Sequence, residues 1–260
     1  MNPIWIVDAF AHAPYTGNPA AVMVVAEFPE QMQRIAAEMN LSETVFVKKI
    51  NENHFHIRWF TPLVEVKLCG HATMAAAHIL FQEKLVTKNE ITFDSLSGPL
   101  TVTQKESTII LNFPLQQIGQ TLAKATFDTL LDLPSQIHEV VQAYDDVIVA
   151  LHDEQTLRNL QPHFDKVKQI EARGLIVTAP SKQYDFVSRF FAPRVGVNED
   201  PVTGSAHCKL ADYWAKRLGK NTFHAYQASH RGGELRIQVE NNRVFLQGQA
   251  ITIMQGQWLV

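Results

Sequence analysis

Three carboxylates stand at the edges of short, distinctive stretches: Glu43 in NLSETVFV, Glu65 in FTPLVEV and Asp200 in EDPVTGSAH. A carboxylate partly removed from water has its pKa raised and serves as a general acid or base near neutral pH. The plainer expectation for any one acid is a solvated surface group, and residue type alone does not choose Glu43 over Glu65. Cys69 and His71 flank Gly70, a pattern open to proton transfer, thiol activation, metal ligation or a structural histidine satisfied by hydrogen bonds. Gly70-His71 and Gly204-Ser205 each open a helical stretch. Such an opening presents unpaired N–H groups and a positive dipole end, a receptor for a carboxylate or a developing oxyanion. A tight turn or cap is the simpler role for the same glycines. His54 and His56 alternate on one face of a strand as a metal-binding pair would, but no third ligand follows at a suitable spacing, so no metal is expected. P-loop, dinucleotide-binding and GxSxG signatures are missing, and HRGGELR from His230 opens a strand, so no cofactor is expected.

The elements that must carry these residues are written twice. RWFTPLVEV starts at Arg58 and RFFAPRVGV at Arg189, 131 positions later; CGHAT from Cys69 and TGSAH from Thr203 share a glycine 134 positions apart. SGPLTV against GGELRI, and IILNF against VFLQG, follow in the same order at an offset of 135. Collinear repetition over this length indicates one structural unit used twice. The expected organisation is an N-terminal lobe over 1–116 and a C-terminal lobe over 117–260, with the last segment, AITIMQGQWLV, free to return to the first lobe.

PEQMQRIAAEMN reads as a helix ending near Asn40, and TVFVKKI and HFHIRWF read as strands. HATMAAAHILF is apolar around its whole circumference and must be buried on all sides. SAHCKLADYWAKRL is expected to be its second copy, with an exposed face carrying Lys209, Asp212 and Lys216. ENNR near Asn241 signals a hairpin. The fold class is α+β, two pseudo-symmetric lobes, each a mainly antiparallel, barrel-like sheet around a central helix. A cleft between lobes, with both helix tips turned into it, is where a small ligand is expected.

Composition narrows the partners. The 260 residues are 46% hydrophobic and 19% charged, with a formal charge of -3, which is ordinary for a globular protein and gives no footprint for nucleic acid or anionic membrane. A small molecule is the expected partner. The N-terminal stretch lacks a basic n-region and no apolar run nears membrane-spanning length. Two cysteines, Cys69 and Cys208, are too few for a disulfide framework and suit a reducing, cytoplasmic setting.

VDAFAHAPYTGNPAAV, NLSETVFV, FTPLVEVKLCGHAT and EDPVTGSAH, in this order, resemble the phenazine biosynthesis PhzF-like isomerase family of the diaminopimelate epimerase fold. The resemblance runs from Val7 to about Gly248. It implies a cofactor-independent site that moves a proton between carbons of a small carboxylate-bearing metabolite, and a homodimer, for which the sequence carries no interface signal. It implies Glu43 as the catalytic acid and base. His71, Asp200 and Ser205 then bind substrate or assist transfer, and Gly70 and Gly204 open the helices. Asn18 and Pro19 match a motif of structural role. Related epimerases set one cysteine at each helix tip; here Cys69 holds the first place as an accessory group, but Thr203 holds the second. The alternatives are an epimerase or racemase using Cys69 against Glu43 or Asp200, a metabolite-binding protein without turnover, and, last, a metal-dependent hydrolase.

Overall fold

A computed structural model describes residues 2–260, which fall into two compact units. One runs to Phe113 and resumes at Phe245; the other spans Pro114–Val244. The first contains β1 (Asn2–Ala9), β2 (Asn18–Val25), α1 (Met32–Met39), β3 (Glu43–Asn51), β4 (His54–Phe60), β5 (Glu65–Val66), α2 (Gly70–Gln82), β6 (Glu90–Ser95), β7 (Gly98–Lys105) and β8 (Thr108–Pro114). The second contains α3 (Lys124–Leu131), β9 (Ile137–Ala143), β10 (Asp146–Leu151), α4 (Glu154–Asn159), α5 (Phe164–Val167), β11 (Leu175–Pro180), β12 (Phe186–Ala192), β13 (Val197–Asp200), α6 (Gly204–Leu218), β14 (Thr222–Gln227) and β15 (Gly233–Glu240). β16 (Arg243–Gly248) carries the chain back, and β17 (Ala250–Trp258) pairs antiparallel with β1 from Asn2↔Trp258 to Ala9↔Ala250.

The strand ladders repeat. β1–β2 and β9–β10 are antiparallel, β2–β3 and β10–β11 parallel, β3–β4 and β11–β12 antiparallel, β4–β6 and β12–β14 parallel, and β6–β7 and β14–β15 antiparallel. Each unit is therefore mainly antiparallel with two parallel steps, the α+β architecture expected. The registers match as well: Thr44 faces Phe60 and Leu175 faces Phe191, the two phenylalanines being repeat equivalents.

α2 is buried along nearly its full length and packs on β1, β2, β3 and β17. Its alanines, Ala72, Ala75, Ala76 and Ala77, leave room for the strands to come close. α1 ends where Asn40 turns left-handed, φ 49°, and its N–H bonds Ala36 O at 3.1 Å. Gly17 closes the β1–β2 loop at φ 69°, and a Cβ there would lie 2.2 Å from Ala9 O, so only glycine fits.

One expectation for α6 is corrected. Lys209 and Asp212 do not lie on an exposed face: they are 1% and 6% exposed. Lys209 reaches Asp145 Oδ1 at 2.5 Å and also Asp146, which is fully buried. Asp212 accepts from Ile118 N at 2.8 Å and from Lys216 Nζ at 2.7 Å. Helical spacing marked these positions as polar but not as paired, and pairing is what permits a buried charge. Among the described residues, no helix is long and apolar enough to cross a membrane.

Candidate active site

β3 and α2 bring the first group together. Glu43 opens β3, held by the parallel rung Ala20↔Glu43, while His71 is the second residue of α2, whose N-cap is Cys69. Glu43 Oε2 lies 3.1 Å from His71 Nε2, in a pair whose side chains are 15% and 3% exposed. On the other edge of the ring, Nδ1 meets Asn18 Nδ2 at 3.1 Å and Cys69 Sγ at 3.6 Å. Asn18 is wholly buried at the start of β2, so the motif assigned to structure alone also holds the imidazole. An amide offers N–H or, turned over, C=O, and so serves either protonation state of the ring.

Burial opposes charge on His71, yet Cys69 and Glu43 raise its pKa well above the ordinary imidazole value. The Cys69 thiol is itself pushed up to about 11, by burial first and then by Glu43. It is neutral at neutral pH, so the carboxylate is the partner that keeps the imidazolium charged. Donor atoms of Glu43, Cys69 and His71 lie within 4.8 Å of one another. The thiol and the carboxylate nevertheless meet opposite nitrogens of one ring, so they do not converge on one point.

Pairing sets Glu65 apart from Glu43. Glu65 accepts two hydrogen bonds from Arg58, at 2.7 and 2.8 Å, and the repeat-equivalent Glu199 accepts two from Arg189, at 2.8 and 3.0 Å. A fork-to-carboxylate pair found in both copies is a brace between strands. In the histidine pair on β4, His54 Nε2 contacts Asp94 Oδ2 at 2.9 Å, and His56 is exposed.

The second group forms at the opening of α6. Asp200 ends β13, where Phe190↔Asp200 is the rung equivalent to Trp59↔Val66. Its carboxylate accepts from Thr203 Oγ1 at 2.5 Å, and its backbone carbonyl from Gln227 Nε2 at 2.7 Å. Buried Gln227 also accepts from the N–H of Thr203 at 2.8 Å, which fixes the N-cap of the helix beginning at Gly204. Ser205 Oγ accepts from Arg173 Nη2 at 3.1 Å. Cys208 is buried one turn into the helix, its thiol pushed up to about 12 by burial. Arg173 stands out in neither its type nor its spacing in the sequence, and its part here rests on the fold alone.

The two groups share the helix-opening glycine and differ on either side of it. Where the first copy has Cys69 and His71, the second has Thr203 and Ser205. The register equivalent of Glu43 is Gly174, the residue before β11, where a Cβ would lie 2.4 Å from Phe190 Cζ and 3.0 Å from Phe191 O. A carboxylate side chain has no room there. One copy carries the carboxylate–imidazole pair, and the other carries the Asp200 carboxylate among hydroxyls and N–H groups.

The sequence profile of the family described as phenazine biosynthesis-like protein (PhzC-PhzF) matches residues 7–256. A protein of Halalkalibacterium halodurans named an uncharacterized isomerase is 46% identical over 265 residues, covering 100% of this chain and 99% of its own. A crystal structure of a PhzF-family phenazine biosynthesis protein from Enterococcus faecalis superposes with a TM-score of 0.94 at 42% identity, over 100% of this chain and 99% of that one. A probable proline racemase from Agrobacterium radiobacter, crystallised with carbonate, shares the fold at a TM-score of 0.68 and 9% identity, over 100% of this chain and 93% of its own.

Proposed function

The chain belongs to the phenazine biosynthesis-like protein family, whose matched relatives include named isomerases, and on that premise we propose that it is a cofactor-independent isomerase of a small carboxylate-bearing metabolite. Glu43 takes a proton from a carbon activated by a neighbouring carbonyl or double bond and returns it to another carbon of the same molecule. The C–H bond electrons move into the conjugated system, unsaturation shifts, and no atom is gained or lost. The His71 imidazolium beside Glu43 stabilises the enolate-like charge that develops, an interaction stronger in the transition state than in the ground state. Asp200, Gly204 and Ser205 are proposed to bind substrate, with Gly70 N–H as a further donor.

The observation that carries this reading is the buried Glu43–His71 contact of 3.1 Å, set against Gly174 at the equivalent position. A symmetric two-thiol racemase needs one thiol at each helix tip, and the repeat equivalents of Glu43, Cys69 and His71 are Gly174, Thr203 and Ser205. Incubating the protein in heavy water with small cyclic and amino carboxylates, and following deuterium by mass spectrometry and NMR, tests it. Deuterium at one carbon with a moved double bond is the expected result. Exchange at an α-carbon with inversion would instead establish the epimerase reading, which the thiol at the α2 N-cap favours. Binding with no exchange at any carbon would establish a non-catalytic binder. A cytoplasmic homodimer is part of the proposal, and light scattering on the purified chain checks the assembly.

A further inference from the structure

Arg173 is tied into a neutral, partly buried charge cluster. Its Nε donates to Asp146 Oδ1 at 3.0 Å and its Nη2 to Asp146 Oδ2 at 2.5 Å, while Nε also lies 3.4 Å from Asp145 Oδ2. Asp146 is 0% exposed and Lys209 1% exposed, so two acids and two bases balance within one unit. Phe190 backs the guanidinium, its ring centroid 5.1 Å from Cζ. Burial works against the guanidinium charge, but Asp146, Asp145 and Asp200 hold its pKa above the usual value. The head group is thus fixed, and the N–H it directs at Ser205 is aimed by the cluster.

That aim has a chemical consequence. Arginine has donors and no acceptor, whereas a serine hydroxyl has one proton and two lone pairs. With a lone pair of Ser205 Oγ taken by Arg173 Nη2, the hydroxyl proton has to go to an acceptor other than Arg173. The repeat sharpens the point. In the first copy the residue after the helix-opening glycine, His71, meets an anion from the start of β3; in the second, Ser205 meets a cation from just before β11. Arg173 lies one residue before Gly174, the equivalent of Glu43, so the group that meets this helix position is an anion in one copy and a cation in the other.

We propose that Arg173 is a positioning residue that makes Ser205 a committed hydrogen-bond donor to a substrate carboxylate, so that the α6 tip selects carboxylates over their neutral amides. This rests on the reading that Ser205 binds substrate. Arg173 acts through the hydroxyl and not by pairing with the ligand itself, because its own charge is already met by Asp146.

The test uses benzoate as a carboxylate probe and benzamide as its neutral counterpart. The full-length protein is labelled with 15N-serine and 15N-glycine, and the Ser205 signal is identified by its loss in S205A. The expected result is saturable movement of the Ser205 and Gly204 amide signals with benzoate, and the same movement only at higher concentration with benzamide, whose carbonyl accepts but whose NH2 finds no acceptor on Ser205. R173Q and S205A should each weaken benzoate by about tenfold, the size of one hydrogen bond to a charged group. R173Q/S205A should be no weaker than either alone. R173K keeps a cation against Asp146 but cannot serve two directions with a fork; a loss of benzoate affinity at unchanged melting temperature separates positioning from misfolding. Additive losses in the double variant would mean that Arg173 binds the carboxylate itself, and unchanged affinity in R173Q would mean that it does nothing for binding; either overturns the proposal. No movement of Ser205 and Gly204 in the wild-type protein would overturn the underlying reading of the α6 tip, and the proposal with it.

Discussion

Glu43 and Gly174 are register equivalents in the two copies, each one residue before the Thr44↔Phe60 and Leu175↔Phe191 pairs. One has a carboxylate 3.1 Å from an imidazole, and the other has no room for a Cβ. Duplication usually offers two equivalent groups. Here it leaves one, which favours a single base that takes and returns a proton.

Replacing Glu43 by Gln keeps the shape and removes the base. Turnover should fall by about 10² to 10⁴-fold, the span of one positioned proton-transfer group. The same variant should lower the His71 pKa, because burial remains while the carboxylate is gone. In the wild type the raised pKa means that the folded state binds more protons, so this pair stabilises the fold below the unfolded value of 6.5 and ceases to do so as pH rises through the folded value. Imidazole NMR titration of both proteins checks the shift, and near-full activity in E43Q would remove Glu43 from the mechanism.

Cys69 should matter little to proton transfer. Its thiol, at about 11, is protonated at neutral pH, and the thiolate is the reactive form. C69S is expected to keep most of its turnover, and iodoacetamide to react slowly with the wild type. Loss of activity in C69S together with α-carbon exchange in the parent would instead point to a thiol-based epimerase.

His207 should make the protein sensitive to acid. It is fully buried, with Nδ1 on Thr203 O at 2.8 Å and Nε2 near Ser188 Oγ at 3.4 Å, and burial lowers its pKa to about 4. Between about 4 and 6.5 the unfolded state binds more protons, so stability rises with pH through that window and falls on acidification. The contribution is up to about 3 kcal/mol from a shift of this size. Urea melts across the window should show a shallower slope for H207Q than for the wild type, provided the variant folds; equal slopes would place the sensitivity elsewhere.

Lys209 should be structural. Removing it as K209M leaves fully buried Asp146 with Arg173 alone, and unpairing a buried charge costs about 3–5 kcal/mol. Because Arg173 still contacts Asp146, the loss should fall at the lower end. Thermal or urea denaturation reads it directly, and a change under 1 kcal/mol would show that the cluster tolerates substitution by an apolar chain, as some buried ion pairs do.

Much of this protein is set by local pattern. The repeated RxF and glycine-opened segments carry their own periodicity, so two units of one plan, the burial of α2 and the two helix tips follow from residue order. Burial of apolar residues at fixed spacing acts over a few neighbours, and it is legible wherever the chain is cut. Asn18, Arg173 and Lys209 are different. Their partners His71, Ser205 and Asp146 lie 53, 32 and 63 positions away, joined only by strand register and helix placement. The same long-range pairing separates Glu43 from Glu65: an arginine across the ladder occupies one carboxylate, and a histidine at a helix tip meets the other. Residue types state which groups can ionise, but which of them share a buried space is decided when distant strands take up their register.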